Sequence, residues 1–507
     1  MSARGVLRDA AFRRLWAGMT VSKLGSSVAG IATPLIAVQV LDASAFTVSL
    51  LTAAAWLPWL LVGLPAGAWI DRVAKRPVML ACDAAAALLV ASVPLAAWLY
   101  HLTIGHLLGV ALLVGVASVF FQVAWTAYLP AMFEADDLVG ANSVLQGSES
   151  AVQIAGPAIG GALIATVNAV AGLLVDALTF AVSAVSLLLI RRPERRPIPE
   201  PVGLAADPAA PVVASARSSS VPEPAAPATP ARSSFVARPA APPTSARSSF
   251  EPRLAAPAHS SSAPASAASR SADTREFPAR HPARRSIGRD IAEGVRWLAR
   301  EPLLRSLTLH GAAGNIALTG YGAIIVVFLV RDIGVSTATV GLLMAASGLG
   351  GVAAATATPF LVRRFGAART MVRAKVGAGL ASLLIPLTGP GYGLIAFVAG
   401  TVLVAACVVG GNVVAGSFRQ TYVPPALLGR VVTGMQFVNL GAIPLGALLG
   451  GTVAAALGTR GAIWCMTIFY ACAGLILLLG PWRGRRDLPA PAPRTATRSA
   501  AELTPTA

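Results

Sequence analysis

Charge is scarce in this sequence, and it is scarcest in long unbroken runs. No Asp, Glu, Lys or Arg lies between Asp42 and Asp71, and after Asp83 none appears until Glu134. Only 12% of the 507 residues are charged while 55% are hydrophobic, which excludes an ordinary water-soluble globular protein. Lysine is rarer still. Lys23, Lys75 and Lys375 are the only three, and none follows a glycine in the G-x-x-x-x-G-K-[ST] manner, so the chain carries no phosphate-cradling loop and is not itself an ATPase. Five scattered histidines, with no H-E-x-x-H and no nucleophile elbow, offer nothing for a membrane-embedded enzyme to work with. Aromatic residues make up 6%, too few to suggest a cavity built on stacking. Cys82, Cys407, Cys465 and Cys472 form no C-x-x-C pair and have no His at metal spacing, so they read as small packing residues. No metal and no cofactor is expected.

What the chain has in abundance is apolar length. A bilayer core takes roughly 20 helical residues to cross, and the charge-free runs reach or double that. Twelve spans are expected: 15–41, 46–70, 77–98, 104–126, 143–166 and 169–190, then 306–330, 338–361, 371–388, 393–416, 432–457 and 461–481. The apolar runs are continuous and do not alternate, which selects helices over a closed barrel. The predicted fold class is all-α, a polytopic membrane protein of two six-helix bundles. The basic, apolar start MSARGVLRDAAFRRLW has no small-residue cleavage site and is expected to remain as the beginning of the first span.

The formal charge of +18 is explained by position before any ligand is invoked. With both termini cytoplasmic, the outer loops hold Arg331 and Arg460, Lys23 falls inside the first span, and the other basic residues face the cytoplasm. Arg363, Arg364, Arg369, Arg373 and Lys375 cluster around the end of the eighth span in this way. The charge is a topology signal for a multi-pass plasma-membrane protein and not a nucleic-acid footprint. The partners expected are the lipid bilayer and a small-molecule substrate.

The chain divides into a first bundle over 1–190, a tether over 191–285, a surface helix and second bundle over 286–482, and a tail over 483–507. The tether is Ala, Pro, Ser and Arg with a short unit, ARSSS at 216 and ARSSF at 231 and 246, and is expected to be a disordered cytoplasmic spacer. After it, Ile287, Ile291, Val295 and Leu298 recur at helical spacing, opposite Arg289, Asp290, Glu293, Arg296 and Arg300, as in a helix lying on the membrane surface. The bundles echo each other: Gly140 and Gly161 are 21 apart, as are Gly429 and Gly450, and VRRFGAARTM after the eighth span is a worn copy of the loop after the second. Six spans per bundle make this a parallel repeat.

One charged island interrupts the first bundle, GAWIDRVAKR at Gly67 to Arg76. It resembles the loop motif between the second and third spans of the major facilitator superfamily, matching at Gly67, Asp71, Arg72, Lys75 and Arg76, with Ala74 where the motif has Gly. FRRLW at Phe12, AN at Ala141 and Asn142, LVDALTF in the sixth span and RQTYVPPALLGRV at Arg419 to Val431 are similar to its macrolide-efflux and enterobactin-exporter-like branch. The resemblance covers both bundles and leaves out the tether and tail. It implies a secondary exporter of a drug, antibiotic or siderophore, working as a monomer by alternating access with protons as the coupling ion. An uptake permease of the same fold and a non-transporting polytopic protein stay open.

On a physical reading, Asp71 sits against the positive N-terminal end of the eleventh span, near Arg430, while the basic group pairs with Glu134, Asp136 or Asp137. Such contacts exist only with the cytoplasmic side shut, which makes the island a gate; a plain topology anchor is the alternative. In GPAIGG, Gly156 to Gly161, Gly156 and Gly160 share one helix face and admit a close neighbour, with Pro157 loosening the backbone at the same place. The pattern partly resembles the superfamily's exporter motif. Charges inside spans cost on the order of 2.5 to 3.5 kcal/mol at the centre, so Asp176, Glu149 and Asp83 are the candidate coupling or substrate residues. Where relatives carry an acidic residue after the Gly of the first span, this chain has Ser26. His310, Asn315, Gln122, Gln436 and Asn439 either line the cavity or bond between helices.

Overall fold

The computed structural model describes residues 6–70, 72–132, 135–190, 296 and 298–489. Asp71, the tether, nearly all of the expected surface helix and the chain after residue 489 lie outside the described residues.

Helix starts follow local capping chemistry. The Asp9 carboxylate accepts from the backbone N–H groups of Ala11 and Phe12 at 2.8 and 3.2 Å and opens α1, Ala10–Gln39. Ser44 caps α2, Ala45–Leu61, which breaks at Val62 one turn after Pro58 and resumes as Gly63–Ile70. There follow α3, Lys75–Trp98, α4, Ile104–Met132, α5, Ala135–Val167, and α6, Ala169–Leu188, the last capped by Asn168. In the second bundle α7 is Pro302–Val327, prolonged by a wide turn over Phe328–Asp332, and α8 is Thr337–Phe365, capped by Ser336. The helix α9, Ala367–Ser382, and α10, Leu394–Tyr422, precede one long run, Pro425–Ala473, that Gly458 divides at φ 75° into α11, 425–457, and α12, 459–473.

Among the described residues nine helices are long and apolar enough to cross a bilayer. Dividing the longest at Gly458 and adding α2 and α5 accounts for the twelve expected spans. Several starts lie earlier than hydropathy suggests: α5 begins at Ala135 instead of 143, so Asp136 and Asp137 are helical, and α11 begins at Pro425 instead of 432. Hydropathy marks where lipid begins, whereas backbone hydrogen bonding carries the helix on into the polar layer.

The bundles repeat helix by helix. α1 packs on α5 and α6, α2 on α4, and α3 on α4 and α6; the same pairs recur six helices later, with α7 on α11 and α12, α8 on α10, and α9 on α10 and α12. Both bundles belong to one compact unit. They meet through α2 against α11 and α5 against α8, a pair of contacts that the repeat interchanges.

Two ends of the molecule can be told apart by where each helix turns. One, here basal, carries residues 70, 72–75, 190, 302, 366 and 424; the other, apical, carries residues 40–44, 99–103, 168, 333–336 and 458. At the apical end a single buried core joins both bundles, with Ile36, Leu51 and Leu173 of the first packed among Phe328, Val340 and Ile463 of the second. At the basal end there are two cores. Phe12, Ile70, Met79 and Tyr128 form one within the first bundle, and Leu304, Met371, Phe418 and Trp482 form the other within the second. Among the described residues the buried core is therefore continuous apically and divided basally.

Lipid offers no hydrophobic drive for helices to associate, so close packing of small residues takes over that role. A Cβ built on Gly161 of α5 would lie 2.2 Å from the Cα of Gly341 on α8, and one built on Gly451 of α11 would lie 1.8 Å from Ser49 Oγ on α2. Large apolar side chains such as Leu88, Leu178 and Leu342 are exposed around the perimeter, and Trp98, Tyr100 and Tyr392 are exposed at the apical end, as a lipid-facing belt with an interfacial aromatic rim requires.

Candidate functional site

The first bundle holds two adjoining cavities. One, of about 180 Å³, is lined by Lys23, Ser26, Trp59, Asp83 and Gln122 among others; the second, of about 90 Å³, shares Lys23 and Gln122 and adds Trp125, Ser148 and Glu149. Lys23 on α1 and Glu149 on α5 form an ion pair at 2.7 Å, both side chains partly exposed. Lys23, expected only as a charge inside the first span, and Glu149, a candidate coupling or substrate residue, thus answer each other across 126 positions. The same seam is fastened by Trp16 donating to Ser148 Oγ at 2.6 Å, and by Gly156 and Gly160, which face Ser27 and Val28 of α1.

The three candidate carboxylates occupy different surroundings. Asp83 on α3 is buried and lines the larger cavity; Ser183 of α6 hydrogen-bonds to it, while Oδ2 has no partner among the described residues. It is the one buried side-chain polar atom so placed among the described residues. Asp176 is also buried but lines none of the three cavities, being sealed where α6 crosses Gly25 of α1. A Cβ on that glycine would lie 2.7 Å from Asp176 Oδ1 and 1.9 Å from Thr179 Oγ1. Glu149 is partly exposed and ion-paired.

The second bundle holds a cavity of about 320 Å³, and its lining is basic and amide-rich: His310 and Asn315 on α7, Lys375 on α9, Asn412 and Arg419 on α10, Gln436 and Asn439 on α11, and Tyr470 on α12. His310 Nδ1–H donates to the Ala473 carbonyl at 3.1 Å, and Asn315 donates to the Asn439 carbonyl at 2.9 Å, so both tie α7 to its neighbours. His310, Asn315, Gln436 and Asn439 line this cavity, and Gln122 lines both cavities of the first bundle. Lys375 is a correction. It was counted with the arginines around the end of the eighth span as a topology signal, although it falls within the expected ninth span; α9 begins at Ala367, which puts Lys375 about 12 Å along the helix, inside the bundle. Arg419 stood only within a longer motif in the sequence.

At the basal surface, Asp71 and the side chains of Glu134, Asp136 and Asp137 lie outside what is described, so their pairing is open. Arg76 donates from Nε to the Leu187 carbonyl at 2.9 Å and from Nη2 to the Leu188 carbonyl at 3.0 Å, capping the end of α6. Gly67 and Arg430 lie on α2 and α11, the helix pair that joins the bundles. Apically, Arg331 pairs with Asp42 and donates to the Val38 carbonyl at 3.4 Å, and Gln39 reaches Thr337 Oγ1 at 3.5 Å.

Two repeated six-helix bundles, joined through one shared apical core and each holding polar cavities of its own, are the architecture of a membrane transporter. The family comparisons agree. The profile described as "Transmembrane secretion effector" matches residues 1–203 and that described as "Major Facilitator Superfamily" matches residues 309–505. The chain belongs to the major facilitator superfamily, whose members are transporters and not enzymes. It is similar to the multidrug efflux pump Tap of Mycobacterium tuberculosis, 31% identical over 189 residues, which are 36% of this chain and 45% of that protein. A Tap of Mycolicibacterium fortuitum is 31% identical over 182 residues, 35% and 44%. The chain thus matches less than half the length of these relatives. Among solved structures, the nucleoside transporter NupG superposes with a TM-score of 0.61 at 11% identity, covering 92% of this chain and 97% of that one. A bacterial homologue of the iron transporter ferroportin, in an inward-facing state, superposes at 0.59 and 13%, covering 94% and 99%. These likenesses carry the fold alone.

Proposed function

We propose that the protein is a proton-driven exporter of a small hydrophobic or amphipathic compound in the plasma membrane, acting as a monomer. The observation that carries this reading is the shared apical core set against two separate basal cores, which is the shape of a transporter open on one side. The basal side is cytoplasmic in this reading, because among the described residues the apical end carries only Arg331 and Arg460 of the basic side chains. The likeness to Tap supports export. The Gly67 to Arg76 island, with Arg430, closes the basal side in the opposite state, and the residues from 191 to 285 tether the bundles.

The test is transport by purified protein in vesicles with an imposed proton gradient, across a panel of amphipathic drugs and siderophores. Gradient-driven movement of at least one compound away from the basal side, abolished by a protonophore, is expected. Asp71→Asn, inserted at normal levels, is expected to lose most of it. Movement toward the basal side, or transport indifferent to the gradient, would refute export or coupling respectively.

A further inference from the structure

The intramembrane charges are not shared evenly between the bundles. Asp83, Glu149 and Asp176 all lie in the first, where Lys23 already answers Glu149. Lys375 and Arg419 lie in the second and line one cavity, and among the described residues no carboxylate lines it with them. Neither is ion-paired among the described residues. Lys375 Nζ has a neutral partner, Asn412 Oδ1, at 3.3 Å. Lys375 is the one well inside the bundle, where a charge with only a neutral partner is costly and marks a substrate or ion path; Arg419 stands in the last turn of α10, at the cavity mouth.

The two cations are staggered. Arg419 lies about 5 Å from the basal end of α10, whereas Lys375 is about 12 Å in from the basal end of α9. A ligand entering from the basal side meets the guanidinium at the mouth and the ammonium deeper in. Leu307, Leu318, Val408 and Met435 supply apolar wall around them. The amides of Asn315 and Asn439 each give one N–H to a backbone carbonyl, of Asn439 and Met435, which fixes their orientation in the cavity wall.

We infer that the second-bundle cavity binds the anionic head of an amphipathic cargo, with Lys375 and Arg419 as its counter-ions. The cargo therefore carries a carboxylate, sulfonate, phosphate or enolate on a mostly apolar body. This rests on the transporter reading, and it assigns separate duties: acids in the first bundle for the proton, bases in the second for the cargo.

Binding can be read without transport, which keeps a failure of this inference apart from a failure of the export reading. The full chain, purified in detergent, is heated with 1-naphthoate, 1-naphthylmethylammonium or 1-naphthalenemethanol, three probes of one shape and three charges. Only 1-naphthoate is expected to raise the unfolding midpoint. Lys375→Gln and Arg419→Gln are each expected to weaken its half-saturation by about ten- to a hundredfold, the loss typical of one charge-assisted hydrogen bond. Lys375→Arg is expected to keep most of the effect, which a merely structural role for Lys375 would not explain. Equal stabilisation by the cationic or neutral probe, or a naphthoate effect that survives both Gln variants, would overturn the inference. Phosphatidylglycerol is titrated as a separate arm. Stabilisation by that lipid, lost in both variants and without any from 1-naphthoate, would give the site to a lipid headgroup and overturn the cargo assignment.

Discussion

Asp83 and Asp176 are equally hidden from solvent, yet only one of them can be reached. Asp83 borders a cavity with one oxygen unpartnered, so it can take up a proton without breaking an ion pair, whereas Asp176 is closed in by Gly25, Thr179 and the body of α1. Glu149 must first give up Lys23. Asp83→Asn is therefore expected to reduce gradient-driven transport by about tenfold or more while leaving exchange of labelled cargo near the unaltered rate. Asp176→Asn is expected to leave both unchanged. Vesicle assays with and without a gradient check this, and the reverse pattern would move the proton site to Asp176. All of these carboxylates stood out in the sequence because each breaks an apolar run. What the sequence did not yield was their company: nothing local marks Lys23 as the partner of Glu149. Lys375 fell within the expected ninth span but only one turn from its start; its greater depth comes from the turn at Gly366, φ 87° against the Arg486 carbonyl, which starts α9 earlier than any change in hydropathy.

At the scale of helices, the Gly-rich seam was legible as a close-packing face but its neighbours were not. Gly156 and Gly160 face α1 within the bundle, while Gly161 turns to the other bundle and meets Gly341. The repeat reproduces this on α11, where Gly446 and Gly450 pack against α7 and Gly451 against α2, so by its contacts Gly161 corresponds to Gly451, one residue beyond the Gly450 with which the 21-residue spacing aligned it. Two seams with backbones in contact thus hold the apical end shut. Gly161→Leu would drive a side chain into the backbone of α8, where nothing flexible can give way. The expected result is a population shifted toward the apically open state. Labelling of a cysteine placed at the apical face should rise severalfold, and transport should fall by about tenfold. Gly30→Leu, where a Cβ meets nothing within 4 Å, is expected to change neither. Unchanged labelling in Gly161→Leu would mean the seam does not govern the closed state.

For the molecule as a whole, span count and the parallel repeat follow from where charge is missing, and both were readable before any coordinates. The conformation was not: in the alternating-access reading proposed above, one sequence encodes both an apically closed and an apically open state, differing by only a few kcal/mol. What holds the present state is the common apical core more than its polar contacts. The Arg331–Asp42 pair involves an Asp42 side chain that is 96% exposed, and exposed pairs contribute at most about 1 kcal/mol. Asp42→Asn is accordingly expected to alter transport less than about twofold. Locking the bundles covalently should do far more. Gln39 ends α1 and Thr337 opens α8, and their side chains touch across the two bundles at 3.5 Å. With Cys82, Cys407, Cys465 and Cys472 replaced by Ala, Gln39→Cys and Thr337→Cys joined by a short, reducible bis-methanethiosulfonate should arrest transport. Reductant should restore it, and each single variant treated alike should stay active. Binding at the second-bundle cavity should survive the lock, because that cavity is already open in the apically closed state. A cross-linked protein that still moved cargo at its full rate would mean that the bundles do not part at this end, and alternating access about the apical core would have to be abandoned.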